Sequence, residues 1–489
     1  MIYAFTSSEA RAATGAEAIK DAKITDSSIA NAVDYALWRD SATPSHLIDV
    51  TTASGVVTLA GSVSNLRARD RAVNLAETVR GVRSVVNRIT VKPVDRSDRD
   101  IRKDVEQALL YDPATDSYEI KVKVNDGIVT LNGAVDSWTE KRLSEAVAKS
   151  VSGIKEINNN ISVDFKSPRI DSEIEADVQR KLKSDVWIDS ALIDVEVKDG
   201  EVMLSGSVGS SAEKSRARVA SWVNGVQAVN DSALQVKWWA RDDMQRKDKY
   251  AQRSDQEIRR AINDAIRYDP RVYSFNPNVR VDNGAVTLTG IVEDLAAKRA
   301  AGQDARNTVG VWRVTNLLRV RPEVVLSDSD IAERVSKRLK WDADLDFNDT
   351  ITTYVRNGQT TLYGTVDTKY EKWRAEDVVA KVNGVIDVEN YLKTREQWTW
   401  KPDREIKDEI GSELFWSPFV DSDEVDVEVD HGVATLSGTV DTWRERVAAI
   451  ENAYDGGARR VTDKLEVEMG YNFPPMHPPH RGLNPYVIG

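Results

Sequence analysis

Apolar positions along the chain follow two periods that alternate in a fixed order. Ile29, Val33 and Leu37 lie four apart, as do Ile101, Val105 and Leu109, then Ile331, Val335 and Leu339, then Ile406, Ile410 and Leu414, each a stripe down one helix. Behind each stripe the period falls to two, as in Ile120, Val122 and Val124 or Val425, Val427 and Val429, which predicts a strand with one buried face. A two-residue turn such as Asp126-Gly127 or Asn283-Gly284 reverses the chain, because a tight hairpin needs positive φ there. The return strand carries a leucine: Leu59, Leu131, Leu204, Leu288, Leu362 or Leu436. A second, longer helix is closed by Gly-Val or Gly-Ile at Gly81, Gly153, Gly225, Gly310 and Gly384, where glycine fits a left-handed helix stop. A last alternating strand, such as Val85, Asn87, Ile89 and Val91, completes the unit. The order helix–strand–strand–helix–strand predicts an α+β module: two helices on a three-stranded mixed sheet.

The unit recurs six times. Its leading glycines are Gly55, Gly127, Gly200, Gly284, Gly358 and Gly432, in steps of 72, 73, 84, 74 and 74 residues. Six positions on stand Gly61, Gly133, Gly206, Gly290, Gly364 and Gly438. An aspartate precedes each leading glycine by 29 residues (30 in the fifth copy): Asp26, Asp98, Asp171, Asp255, Asp328 and Asp403. Its place is that of a helix N-cap. The chain divides into an arm (1–24), modules at 25–92, 98–165, 170–236, 255–321, 328–395 and 403–468, a long linker (237–254) between the third and fourth, and a proline-rich tail (469–489). Units this small are marginal alone, so short linkers imply docking between neighbours.

The Gly-x-Val-x-Leu-x-Gly-x-Val hairpin, the later Gly-Val and the closing-strand Asn (Asn87, Asn159, Asn230, Asn316, Asn390) resemble the BON domain, a bacterial module of osmotically inducible and nodulation proteins. The resemblance covers roughly residues 25–468. It implies the two-layer fold, association with envelope stress and phospholipid surfaces, and potassium binding in one relative. Repeat 6 departs most, with Asp455-Gly456-Gly457-Ala458 for Gly-Val and Asp463 for Asn, so its second helix is expected to end differently. Repeat 5 has Thr360 at a hairpin valine position.

Composition narrows the chemistry. Without cysteine, a disulfide framework, zinc ribbon or thiol nucleophile is excluded, and four histidines leave little for histidine chemistry. No phosphate loop, His-Glu-x-x-His or Ser-His pairing is present, so no catalytic residue, cofactor or metal site is assigned. Asp342, Asp344 and Asp346 begin like a calcium loop, but Phe347 and Thr353 stand where Gly and Glu belong. His477 and His480 need ligands from elsewhere. A net charge of −12 with no continuous basic stripe argues against nucleic acid.

What remains is surface, not a cleft. Module 1 carries +2, with Arg67, Arg69 and Arg71 on its second helix, whereas 403–468 carries −11, with Asp421, Asp423, Glu424, Asp426, Glu428 and Asp430 along one edge. That asymmetry permits head-to-tail association, beside the plainer role of a solvated acidic face. Trp238, Trp239, Trp398 and Trp400 in the linkers suit wedges between modules. Helix-end aromatics (Trp38, Tyr111, Tyr268, Trp341, Trp416, with Trp187 slightly later) suit either lipid headgroups or, as favoured here, caps on their own module's core. The expectation is a non-enzymatic scaffold that self-associates as an oligomer or polymer; the alternatives are a peripheral phospholipid-binding envelope protein and a cation-binding stress protein. No secretory signal is readable, which places the chain in the cytoplasm, or in the periplasm or envelope if the N-terminus is processed.

Overall fold

The computed structural model describes residues 24–467 apart from 113–114, 116–119, 166–168, 238–239, 241–252, 268, 270, 273–276, 323, 346–350 and 396–398. The arm, most of the long linker, the tail, Trp238, Trp239, Trp398 and Tyr268 lie outside the described residues. Each module contributes two helices: α1 Asp26–Arg39 and α2 Leu66–Glu77, α3 Asp98–Tyr111 and α4 Trp138–Lys149, α5 Asp171–Ser184 and α6 Ser211–Ala220, α7 Asp255–Arg267 and α8 Leu295–Arg306, α9 Asp328–Trp341 and α10 Lys369–Ala380, α11 Asp403–Trp416 and α12 Trp443–Asp455.

Both helices of a module pack on one face of a mixed sheet. In module 1, strand Ile48–Ala53 runs antiparallel to Val56–Val63, which runs parallel to Ser84–Val91. The return strand is therefore central, and its leucine has neighbours on every side. Leu59, Leu131, Leu204, Leu288, Leu362 and Leu436 are all fully buried, each a contribution of about 1.5–3 kcal/mol from removal of its side chain from water.

The hairpin turns have positive φ at both central residues, 51° and 73° at Ser54 and Gly55. The second glycine answers a different need: a Cβ on Gly61 would sit 2.0 Å from the Leu47 carbonyl oxygen. The repeated aspartate is not the N-cap expected from sequence. The caps of α1, α3 and α9 are Thr25, Ser97 and Ser327, one residue earlier. Asp26 instead accepts from the turn amides of Ser54 (2.7 Å) and Gly55 (2.8 Å), and the same two-bond clamp recurs in all six modules. A carboxylate one residue inside the helix is long enough to reach the neighbouring turn, whose amides have no strand partner.

The closing-strand asparagine ties sheet to helix, as Asn159, Asn316 and Asn390 donate to the carbonyls of Lys141, Lys298 and Lys372. In module 6 Asp463 makes that link by accepting from Arg446 at 2.7 Å. There α12 runs to Asp455, and Gly457 takes the left-handed stop at φ 94°.

Candidate functional site

Modules meet through one repeated contact. The residue before the helix-stop glycine donates its backbone N–H to the last carbonyl of another module's first helix: Arg80 to Trp416 at 3.0 Å, Ser152 to Trp341 at 2.9 Å, Val309 to Ser184 at 3.0 Å. Helix C-terminal carbonyls lack intrahelical partners, so each such bond satisfies an orphan acceptor. In two seams a return bond completes a short antiparallel bridge, from Ala343 to Ser150 and from Val186 to Asn307. The seams join module 1 to 6, 2 to 5 and 3 to 4. The array therefore folds back on itself between modules 3 and 4.

Consecutive modules use the start of the second helix. Leu66 is buried in the core of module 2 and Leu295 in that of module 5. Trp138, at the same position, packs at a tilt of 45° against Trp222 of module 3 with centroids 3.9 Å apart and donates to the Val226 carbonyl.

Helix-end aromatics serve these seams. Trp416 packs against the core of module 1, not its own, and the Arg80 guanidinium lies 4.6 Å from the Phe415 ring. Trp187 meets Phe419 of module 6 edge-on at 5.0 Å and lies 3.9 Å from the Arg444 guanidinium. Tyr111 sits beneath Arg334 of module 5. The expectation that these rings cap their own cores is thus corrected: the stripe ends earlier, at residues such as Leu414, and a ring beyond it projects onto the neighbour. Trp38 differs. It is 67 % exposed and, among the described residues, stacks only on Tyr35, at 5.8 Å.

Charged groups are also committed inside the chain. Arg67 pairs with Asp344 of module 5 at 2.6 Å; Arg71 pairs with Asp40 at 2.5 Å and lies 4.6 Å from the Tyr370 ring. Arg69 pairs with Asp70. Arg374 pairs with Asp342 at 2.5 Å, both 3 % exposed. Against the desolvation of burial, Arg67 and Arg374 hold the Asp344 carboxyl below its ordinary value. Asp342 and Asp344, two of the three aspartates that resembled a calcium loop, are thus occupied by guanidinium groups, and Asp346 lies outside the described residues. Across the 1–6 seam Arg39 approaches Glu409 and Glu413 at 3.7 and 3.6 Å.

The acidic edge lies where its period placed it. Asp426, Glu428 and Asp430 alternate outward on strand Val425–Asp430, opposite the buried side of the sheet. Asp421 and Asp423 precede that strand, the Asp421 amide donating to Glu445 and the Asp423 amide to Asp421. The Glu424 carbonyl packs on Gly438. Trp400 is 72 % exposed and wedges no modules apart.

A cavity of about 1340 Å³ opens among modules 1 to 4, with Tyr370 of module 5 at its margin. Its lining holds thirteen Lys and Arg against ten Asp and Glu, in a chain of net charge −12. Desolvation pulls Lys181 below its ordinary value, with Arg142 adding repulsion, and Arg142 is itself lowered by desolvation. Nearby, burial and the neighbouring Asp269 push the Asp304 carboxyl up to about 8. A reading confined to surface missed this cavity, because no repeat contains it: α2, α4, α5, α6, α7 and α8 each supply part of the wall.

Comparison with known proteins gives six matches to the BON domain, at 25–93, 97–164, 170–237, 254–322, 327–396 and 402–469. Among curated proteins, the osmotically-inducible protein Y of Escherichia coli is 33 % identical over 143 residues, 28 % of this chain and 71 % of that protein. The outer membrane lipoprotein DolP of Haemophilus influenzae is 33 % identical over 111 residues, 21 % of this chain and 56 % of that protein. Among solved structures, the C-terminal domain of CdsD, a structural protein of the type III secretion system of Chlamydia trachomatis, is 16 % identical with a TM-score of 0.13; the match covers 47 % of this chain and all of that one.

Proposed function

The chain belongs to the BON domain family, and from that premise we propose that it is a non-enzymatic scaffold that self-associates through module surfaces and its terminal arms. The observation carrying this reading is the uneven use of one docking device. The first-helix ends of modules 3, 5 and 6 each seat on another module, whereas module 1 leaves Trp38 exposed at its own. A second copy offers the same kind of glycine-stop socket. A contact of that kind is heterologous and propagates into rings or filaments. Light scattering across concentrations tests it: large species lost in Trp38→Ala support it, and a single-chain mass at every concentration ends it.

A phospholipid surface is the second reading. Trp38, stacked on Tyr35 beside Arg39, gives one apolar and one charged edge, which suits a headgroup layer. The similarity to an outer membrane lipoprotein supports it. Among the described residues no helix is long and apolar enough to cross a membrane, so the contact would be peripheral. Co-sedimentation with anionic vesicles at low salt, lost in Trp38→Ala or Arg69→Glu, is the required result. A cation-binding role has only the acidic strand in support, and calorimetry with potassium and calcium decides it.

A further inference from the structure

We propose that the cavity among modules 1 to 4 is a binding site for a small, multiply phosphorylated anion. The first ground is unmatched positive charge. Arg142, Lys181, Lys183, Arg253, Arg260 and Arg267 all line the cavity, come from three modules and the end of the linker, and make no ion pair or side-chain hydrogen bond among the described residues, although Glu145, Glu257, Asp185, Asp269 and Asp304 attract some of them at longer range. The acids around them are mostly engaged: Asp177 by Arg169 and Arg180, Asp185 by Arg216, Asp269 by Arg271, Glu145 by Lys149. Asp264 is the one lining acid with no partner among the described residues.

The second ground is the cost of leaving those cations as they are. Desolvation disfavours the charge on Lys181 and on Arg142; Asp304, Asp185 and Asp269 offset it only in part at Lys181, where Arg142 adds repulsion, and Glu145 only in part at Arg142, where Arg218 adds repulsion. Water and loose counterions relieve this weakly; an anion bridging the two relieves both terms at once. Charge alone would make only a solvated channel, but here the wall is built by modules that must fold back on each other to form it. The volume exceeds the roughly 300–1,000 Å³ typical of small-molecule pockets. Several phosphate groups suit cations spread over such a space, since each can receive two or more donors.

The cavity borders the 3–4 seam, whose Ser184, Asn307 and Val309 line it, but does not include Trp38, so its test is independent of self-association through Trp38. Phosphate could arrive on a soluble molecule or on a lipid headgroup; walls from four modules favour the soluble source, because a bilayer cannot enter. The test is calorimetry of the full chain with tripolyphosphate at low salt. One-to-one binding is expected, weakened at least ten-fold in Lys181→Gln/Arg142→Gln and unchanged in the exposed Arg404→Gln, with circular dichroism confirming the fold of each. Phosphatidylglycerol vesicles are expected not to compete. No heat up to millimolar tripolyphosphate, or equal affinity in the double variant, overturns the site; competition by vesicles overturns the soluble source.

Discussion

The backbone N–H of Arg80 meets the carbonyl of Trp416 at 3.0 Å, joining the first module to the last. Equivalent residues form the other two long-range seams, so one local geometry, a helix end against a glycine stop, organises the whole array. The Trp416 indole adds packing against module 1 at this contact. Because the ring is only part-buried, Trp416→Ala is expected to cost roughly 2–3 kcal/mol, less than the roughly 3–5 of a fully buried ring. The loss falls on docking, not on either core. Hydrogen exchange should therefore quicken at residues 78–82 and in α11 while the central strands stay protected. Uniform exchange throughout module 6 would mean that the module does not fold without its seam.

The repeat, the order of elements and the central place of the leucine strand are readable from sequence because each rests on contacts within about 70 residues. The seams are not. Asn65 donates to the Ala343 carbonyl and Arg67 pairs with Asp344, nearly 280 positions away, and no periodicity specifies that partner. Trp416 shows the limit most plainly. Its recurrence at a helix end marks it as buried against something, but a stripe identifies a face and not what covers it. The repeated aspartate is visible as a spacing of 29 residues in five copies and 30 in the fifth, yet its role depends on a turn that only the folded hairpin brings to it.

That clamp yields a second prediction. Asp98→Ala removes both acceptors from the amides of Asp126 and Gly127, bonds of 2.8 and 2.9 Å to an ionised group. Charge-assisted bonds of this kind are worth about 1.5–3 kcal/mol each in favourable settings, and the turn is partly solvated, so a loss of about 1–3 kcal/mol for module 2 is expected. Urea unfolding followed by the module's own exchange-protected amides measures it. An unchanged midpoint would show that water replaces the carboxylate at no cost.

The buried pair in module 5 should be less forgiving. Arg374 reaches Asp342 at 2.5 Å and Asp377 at 2.9 Å with almost no solvent access. Replacing it by Ala leaves Asp342 in the interior without its guanidinium partner, while Asp377 keeps Lys381 at 2.9 Å, at a cost of about 3–5 kcal/mol. The damage should extend to the 1–5 contact, because Asp344 then retains only Arg67 as a guanidinium partner. Loss of cooperative unfolding in modules 1 and 5 together is the expected result in Arg374→Ala, and a double variant with Asp342→Ala should recover part of it.

The seam between modules 1 and 6 should respond to pH near neutrality. Burial, reinforced by Asp455, pushes the Glu413 carboxyl up to about 7, with Arg39 opposing; burial likewise holds Glu451 at about 7. Both folded values lie above the unfolded one near 4.5. The protonated forms therefore favour the docked state, fully below pH 4.5, and that contribution is lost as pH rises through 7. Module 6 should consequently dock more firmly at pH 5.5 than at pH 8, read as slower exchange of the Arg80 amide that faces Trp416. Glu413→Gln keeps a neutral side chain at both values, so it should flatten that difference. Faster exchange at pH 5.5 than at pH 8, after correction for the intrinsic rate, would mean that Arg39 governs the seam and the carboxyls stay ionised within it.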